Sequence, residues 1–158
     1  MAFASEPAKQ DAAQLGANVT GLFLEDLLVG QAAELSRTVT DADLQAFAAV
    51  TGDHNPVHLD ETYAAATPFG GRIAHGMLSA GYISAVIGTK LPGPGAIYVS
   101  QTLRFRRPVR IGDQVAARAE ITAIDPARAR VTLRTVCSVA GKAVVEGEAE
   151  VMVPRRSA

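Results

Sequence analysis

The stretch GMLSAGYISAVIGTK, residues 76–90, decides the fold. Its apolar residues Met77, Leu78, Tyr82, Ile83, Val86 and Ile87 surround a helical cylinder instead of lining one side, and a helix that is apolar all round is a buried one. Ala80, Gly81, Ser84 and Gly88 add a small-residue face at helical spacing, which lets a sheet approach closely or leaves space for a ligand. After the turn LPGPG (91–95) the chain is β in character. Ile97–Phe105, Val115–Ile124, Val131–Val139 and Ala143–Val153 read as long strands, with alternation clearest in Val115/Ala117/Ala119/Ile121 and Val145/Gly147/Ala149/Val151. The links DPARAR (125–130) and AGK (140–142) are short enough for hairpins, so these strands pair antiparallel. A buried helix followed by consecutive antiparallel strands predicts an α+β fold, a curved sheet wrapped around a central helix.

Upstream of that helix, Ala33–Val39 alternates as a first strand. Thr40 is placed to cap the amide of Asp43, and Asp41 and Asp43 suit the positive end of a helix. Leu44, Phe47, Ala48 and Thr51 follow as one buried stripe, and Gly52 stops the helix. Asp53–Asp60 cannot continue it, because Pro56 has no amide hydrogen and drives Asn55 toward an extended conformation. The segment is expected to be a loop of fixed geometry. Residues 1–21, rich in Ala, Gln and Asn without a period, read as a flexible extension doing no chemistry, which leaves residues 22–154 as one domain.

The 158 residues carry a formal net charge of −1, which offers no general field for a polyanion, so nucleic acid is not an expected partner. The single Cys137 excludes an internal disulfide and a multi-cysteine metal site, and it reads as a small buried apolar residue. The most apolar stretch, Met77–Val86, is too short to span a bilayer, and Met1–Gly21, broken by Glu6, Lys9 and Asp11, has no signal-like core. A cytoplasmic enzyme without a membrane partner is the expectation.

The polar residues that carry chemistry are gathered in TGDHNPVHLD (51–60) and RIAHGM (72–77). Asp53 and His58 lie on either side of a proline-fixed turn, so both can converge on one small molecule, and a carboxylate beside an imidazole suits acid–base work on water. Gly76, at the start of the helix, offers an amide with no side chain in the way and so a place for a developing oxyanion. Plainer readings stand beside these. Asp-x-Asn-Pro is also a turn signature in which Asp53 caps its own backbone, His58 can be a satisfied loop histidine, and His75 reads as orienting the loop by hydrogen bonding. Asp53, His54, His58, Asp60 and His75 could also ligate metal. Pro56, however, breaks the helix that would present His54 and His58 together, and no third ligand stands at motif spacing, so no metal is expected. Between Glu61 and Asp113 there is no carboxylate, so an acid or base of that type has to come from the loop.

FAAVTGDHNPVHLD (47–60) followed by GGRIAHGML (70–78) resembles the MaoC-like (R)-specific enoyl-CoA hydratase family, over about Leu22 to Val153. The resemblance implies a hotdog fold and a homodimer, with substrate entering near the subunit interface. It implies reversible syn addition of water to a trans-2-enoyl-CoA, giving the (3R)-hydroxyacyl thioester without a cofactor. Asp53 and His58 would hold and activate the water, Gly76 would supply the oxyanion amide, and Asn55 would help fix the catalytic loop. We expect Asp53 to accept the proton and His58 to pass one to C2. Asn55, His75, Ala80 and Ser84 are the expected substrate-side residues, with Ala80, Gly81 and Ser84 shaping the tunnel floor. Of the basic run Arg104, Arg106, Arg107 and Arg110, one or two could meet coenzyme A phosphates, but a solvated strand end is the expectation. The competing readings are a dehydratase acting on acyl carrier protein substrates, a thioesterase on the same fold, and an acyl-thioester binding module without turnover.

Overall fold

The computed structural model describes residues 20–156, so the extension read at 1–21 lies almost wholly outside the described residues. After a 3-10 turn at Leu24–Asp26, the order is β1 (Ala32–Thr38), α1 (Asp41–Thr51), α2 (Pro56–Leu59), α3 (Glu61–Ala65), α4 (Gly76–Thr89), β2 (Ile97–Gln101), β3 (Arg104–Phe105), β4 (Gln114–Asp125), β5 (Arg130–Val139) and β6 (Lys142–Met152). The strands form one antiparallel sheet in the order β1-β4-β5-β6-β2, with β3 also paired to β6. Helix α4 packs against β1, β4, β5 and β6. This is the α+β hotdog arrangement of a sheet around one helix.

The register explains the core. Ala117 pairs with Cys137 and Cys137 with Val145, while Ile121 pairs with Leu133 and Leu133 with Ala149. The period-2 alternation on three strands therefore falls on one face, where these residues are all buried against Ile83, Val86 and Ile87 of α4. Cys137 is among them, and burial pushes its thiol up to about 12.

Helix α1 is built as its sequence predicts. Thr40 Oγ1 accepts from the Asp43 amide at 3.2 Å, Asp43 Oδ2 accepts from the Thr40 amide at 2.8 Å, and Gly52 closes the helix in the left-handed region at φ 80°.

Three expectations need correcting. Ile97–Phe105 is not one strand: β2 stays paired to β6 through Gln101, across a register shift between Tyr98 and Ser100, and β3 resumes only at Arg104. Asp53–Asp60 is not all loop, because Pro56 stands at the first position of α2, where its missing amide hydrogen is not needed. Helix α4 is not buried all round, since Met77, Gly81, Ser84 and Gly88 form an exposed face.

The break in the β2–β3 segment lies where its backbone closely approaches a glycine of β6. The Thr102 carbonyl crosses Gly147 of β6 so closely that a Cβ there would lie 1.8 Å from its oxygen. Backbone cannot yield as a side-chain tip can, so Gly147→Ala is expected to lower stability by about 3 kcal/mol, read as a fall in the denaturant midpoint. An unchanged midpoint would show that this crossing is not tightly packed.

Candidate active site

The loop before α2 is held by a chain of short side-chain bonds. The Asp53 amide donates to Thr51 Oγ1 at 3.2 Å, Asp53 Oδ1 accepts from the Asn55 amide at 3.2 Å, and Asn55 Oδ1 accepts from the Val57 amide at 3.2 Å. Asn55 is thus the cap of α2, and one carboxylate oxygen of Asp53 is engaged in the turn that leads to it. His54 turns back on its own loop, its Nδ1 lying 3.1 Å from the Gly52 carbonyl.

Helix α2 presents His58 to the segment that leads into α4. The Ile73 amide donates to the Val57 carbonyl at 3.3 Å, and His58 Nδ1 lies 2.8 Å from the Ile73 carbonyl oxygen. A carbonyl can only accept, so Nδ1 carries the hydrogen. In the neutral ring Nε2 is then a free acceptor. Burial, and behind it the neighbouring His75, hold the His58 pKa below its ordinary 6.5 against the opposing pull of the Ile73 hydrogen bond and of Asp53.

His75 caps α4 and is 2% exposed. Its Nε2 donates to the Asp53 carbonyl at 3.0 Å, and its ring stacks on His58 with centroids 3.9 Å apart and on Phe47 at 4.6 Å. With Nε2 protonated, Nδ1 is an acceptor, and it has no hydrogen-bond partner among the described residues. Next along the chain, the Gly76 amide has no acceptor among the described residues either, being one of the open donors of the helix start. A Cβ at Gly76 would lie 2.6 Å from Cε1 of Phe105, so the ring packs against a surface that only glycine leaves clear.

These groups meet at one cavity of about 480 Å³, whose wall includes His58, His75, Gly76, Met77, Ser79 and Phe105. Asp53, His58 and His75 each place one ligand-capable atom within 4.8 Å of the others. The third ligand that sequence spacing lacked is therefore supplied from beyond the loop. The His58 and His75 rings are tilted by 32° to each other, and one nitrogen of each is bound to a carbonyl, which leaves one acceptor nitrogen on each ring.

Of the residues proposed from sequence, the structure brings His58, His75 and Gly76 into the cavity wall and Asp53 beside them. It does not bring Asn55, Ala80 or Ser84 there. Asn55 caps α2, and Ser84 lies on the exposed face of α4, because the helix turns Ser79 inward toward the cavity. The basic run is divided. Arg106 pairs with Glu146 at 3.0 Å, Arg107 donates to the Ala143 carbonyl, and Arg110 donates to the Phe69 and Gly71 carbonyls, while Arg106 and Arg107 also edge the cavity. Sequence reading missed the apolar cavity residues Phe69 and Phe105, which carry no periodic signal, and Arg72, whose partners lie in distant segments.

The domain family described as "MaoC like domain" matches residues 29–147. The chain is 57% identical over 134 residues to an (R)-specific enoyl-CoA hydratase of Rhodospirillum rubrum, covering 85% of this chain and 93% of that one. It is 53% identical over 135 residues to a 3-hydroxybutyryl-CoA dehydratase of Methylorubrum extorquens, covering 85% and 86%. An R-hydratase of Pseudomonas aeruginosa, solved in unliganded form, superposes with TM-score 0.82 at 52% identity, covering 86% of this chain and 88% of that one.

The ring assignment is directly measurable. Nitrogen-15 shifts are expected to report a neutral His58 protonated on Nδ1 and titrating below 6.5. A neutral ring protonated on Nε2 would contradict the bond to Ile73.

Proposed function

This chain belongs to the MaoC-like domain family, and on that premise we propose that it is an (R)-specific enoyl-CoA hydratase. It adds water reversibly to a trans-2-enoyl-CoA to give the (3R)-hydroxyacyl-CoA, with Asp53, His58 and Gly76 as catalytic groups. One observation carries the site assignment: His58, whose Nε2 is left as the acceptor, and Gly76, whose amide is unpaired among the described residues, line one cavity, with a carboxylate oxygen of Asp53 within 4.8 Å of an imidazole nitrogen.

The tautomer favours a different division of labour from the one expected from sequence. A neutral His58 with hydrogen on Nδ1 has none on Nε2 to give to C2, so His58 is better suited to take the proton than to supply the first one. Water donates one hydrogen bond to His58 Nε2 and the other to the Asp53 carboxylate. As its oxygen bonds to C3, its proton passes to Nε2, and electron density moves onto the thioester oxygen facing the Gly76 amide. The imidazolium then returns that proton to C2. Oxygen and hydrogen arrive from the same side, so one base serves both steps and addition is syn. A preorganised donor at the developing oxyanion contributes a few kcal/mol, about 3 in typical cases. The thioester itself activates the double bond, so the reaction as written requires no cofactor, and we read the His58/His75/Asp53 cluster as an acid–base centre in preference to a metal site.

We further propose a homodimer in the cytoplasm, where coenzyme A thioesters are available. Edge strand β2 exposes Ile97, Tyr98 and Val99, and Met77 on the open face of α4 is 54% exposed. An apolar sheet edge of this kind needs a cover. Light scattering is expected to give twice the chain mass, falling to the chain mass in Val99→Lys. A monomeric wild type would end this assignment.

The hydratase reading is tested by mixing the protein with crotonyl-CoA, following loss of enoyl absorbance, and determining product configuration. Asp53→Asn and His58→Gln should each lower kcat by roughly 10²–10⁴. Because the His58 pKa is depressed, the base form persists through neutral pH, and kcat/KM should fall on the acid side with a midpoint below 6.5. An S-configured product or undiminished variants would overturn the reading, and preference for the carrier-protein thioester over the coenzyme A form would favour the dehydratase alternative.

A further inference from the structure

Arg72 is a charged side chain near the site that the cavity does not use. It is 16% exposed at the side chain and is absent from the cavity wall. Its Nε donates to the His58 carbonyl oxygen at 2.7 Å, its Nη2 donates to Asp41 Oδ1 at 2.6 Å in the first turn of α1, and its backbone amide faces Glu61 Oε2 at 3.4 Å. The guanidinium holds the Asp41 carboxyl below the usual carboxylate range, chiefly through that hydrogen bond.

The bonds around Arg72 close a loop. A one-turn helix leaves its carbonyls open at the C-terminal end. In α2, the Pro56 carbonyl is taken by the Asp60 amide, that of Val57 by the Ile73 amide, and that of His58 by Arg72 Nε. The very next residue, Ile73, offers the carbonyl that receives His58 Nδ1–H. Residues 72 and 73 therefore grip His58 at both its peptide oxygen and its ring. Losing the Arg72 bond leaves the His58 carbonyl without that partner and its peptide freer to turn, which weakens the ring's bond to Ile73 that sets the direction of Nε2.

We propose that Arg72 is a positioning residue, locking the His58 peptide so that Nδ1 meets the Ile73 carbonyl and Nε2 is presented to the substrate cavity. Asp41 is its anchor, keeping the guanidinium plane turned toward α2. The inference rests on the reading of His58 as the base. Planarity is essential to it, because a lysine ammonium carries the same charge but cannot hold a carbonyl and a carboxylate in one rigid fork.

The test uses the full chain with Arg72→Lys, Arg72→Gln and Asp41→Asn, measuring kcat and KM on crotonyl-CoA, the nitrogen-15 spectrum of the His58 ring, and the melting temperature. Removing a partner that orients a metal-ligating histidine typically costs about 10–100-fold, and the same scale is expected for this oriented base. Arg72→Lys and Arg72→Gln should lose kcat by that factor with KM little changed, and the neutral His58 ring should no longer be held solely as the Nδ1–H form. Asp41→Asn should fall between these and wild type. Should Arg72→Gln fail to fold, Arg72→Lys decides alone. A folded Arg72 variant with wild-type kcat overturns the proposal, as does a variant that loses kcat with the His58 spectrum unchanged. If the wild type does not hydrate crotonyl-CoA, the functional reading fails separately, and the ring spectrum still decides whether Arg72 sets the orientation of His58.

Discussion

The hydrogen bond from His58 Nδ1 to the Ile73 carbonyl, 2.8 Å long, is the constraint on which the rest of the site depends. It joins two segments that are fifteen residues apart in the chain and fixes three things together. The tautomer follows from it, because a carbonyl cannot donate. So does the path of the chain into α4, because Ile73 is two residues from the cap of that helix and three from Gly76. The ring is also held where it stacks on His75.

Burial gives this bond its chemical meaning. An imidazole in water is near half-protonated a little below neutrality, whereas desolvation and the neighbouring His75 depress His58 further. The histidine is therefore uncharged in the range where a base is needed, and Asp53, which opposes that depression, is close enough to favour the charged form as it appears. The Gly76 amide and the orphaned Nδ1 of His75 add two polar groups without a hydrogen-bond partner among the described residues. Leaving a buried polar group unpaired costs about 1–3 kcal/mol, a burden that structures carry chiefly at sites where something else completes the bond.

The sheet and the central helix hold this arrangement from behind. Cys137 on β5 reaches back to the Ser79 carbonyl at 3.3 Å, one turn into α4 and beside the cavity. The same helix is incomplete on its other side, where Met77, Gly81, Ser84 and Gly88 stand open in the single chain. A sequence that is apolar around a whole helix is thus matched by a chain that covers only part of it.

Much of this was legible in the residues. Period-2 alternation in β4, β5 and β6, the Thr40–Asp43 cap and the stop at Gly52 follow from local rules, because each depends on neighbours a few positions away. The clustering of Asp53, His58 and Gly76 could be suspected from the proline turn and the helix start. What the residues could not reveal was every feature set by distant partners. Gly147 leaves room for Thr102 where the β2–β3 segment crosses β6, Ser79 and not Ser84 faces the cavity because of how α4 lies on the sheet, and Arg72 finds its partners in Asp41 and His58 from distant segments. Sequence alone determined β1, α1, the central helix, the three long strands and the kinds of chemical group, since propensity, capping and periodicity act over one or two turns. Tertiary structure alone decided which nitrogen is free and which face is covered, since hydrogen-bond partners and desolvation come from chain segments that meet only on folding.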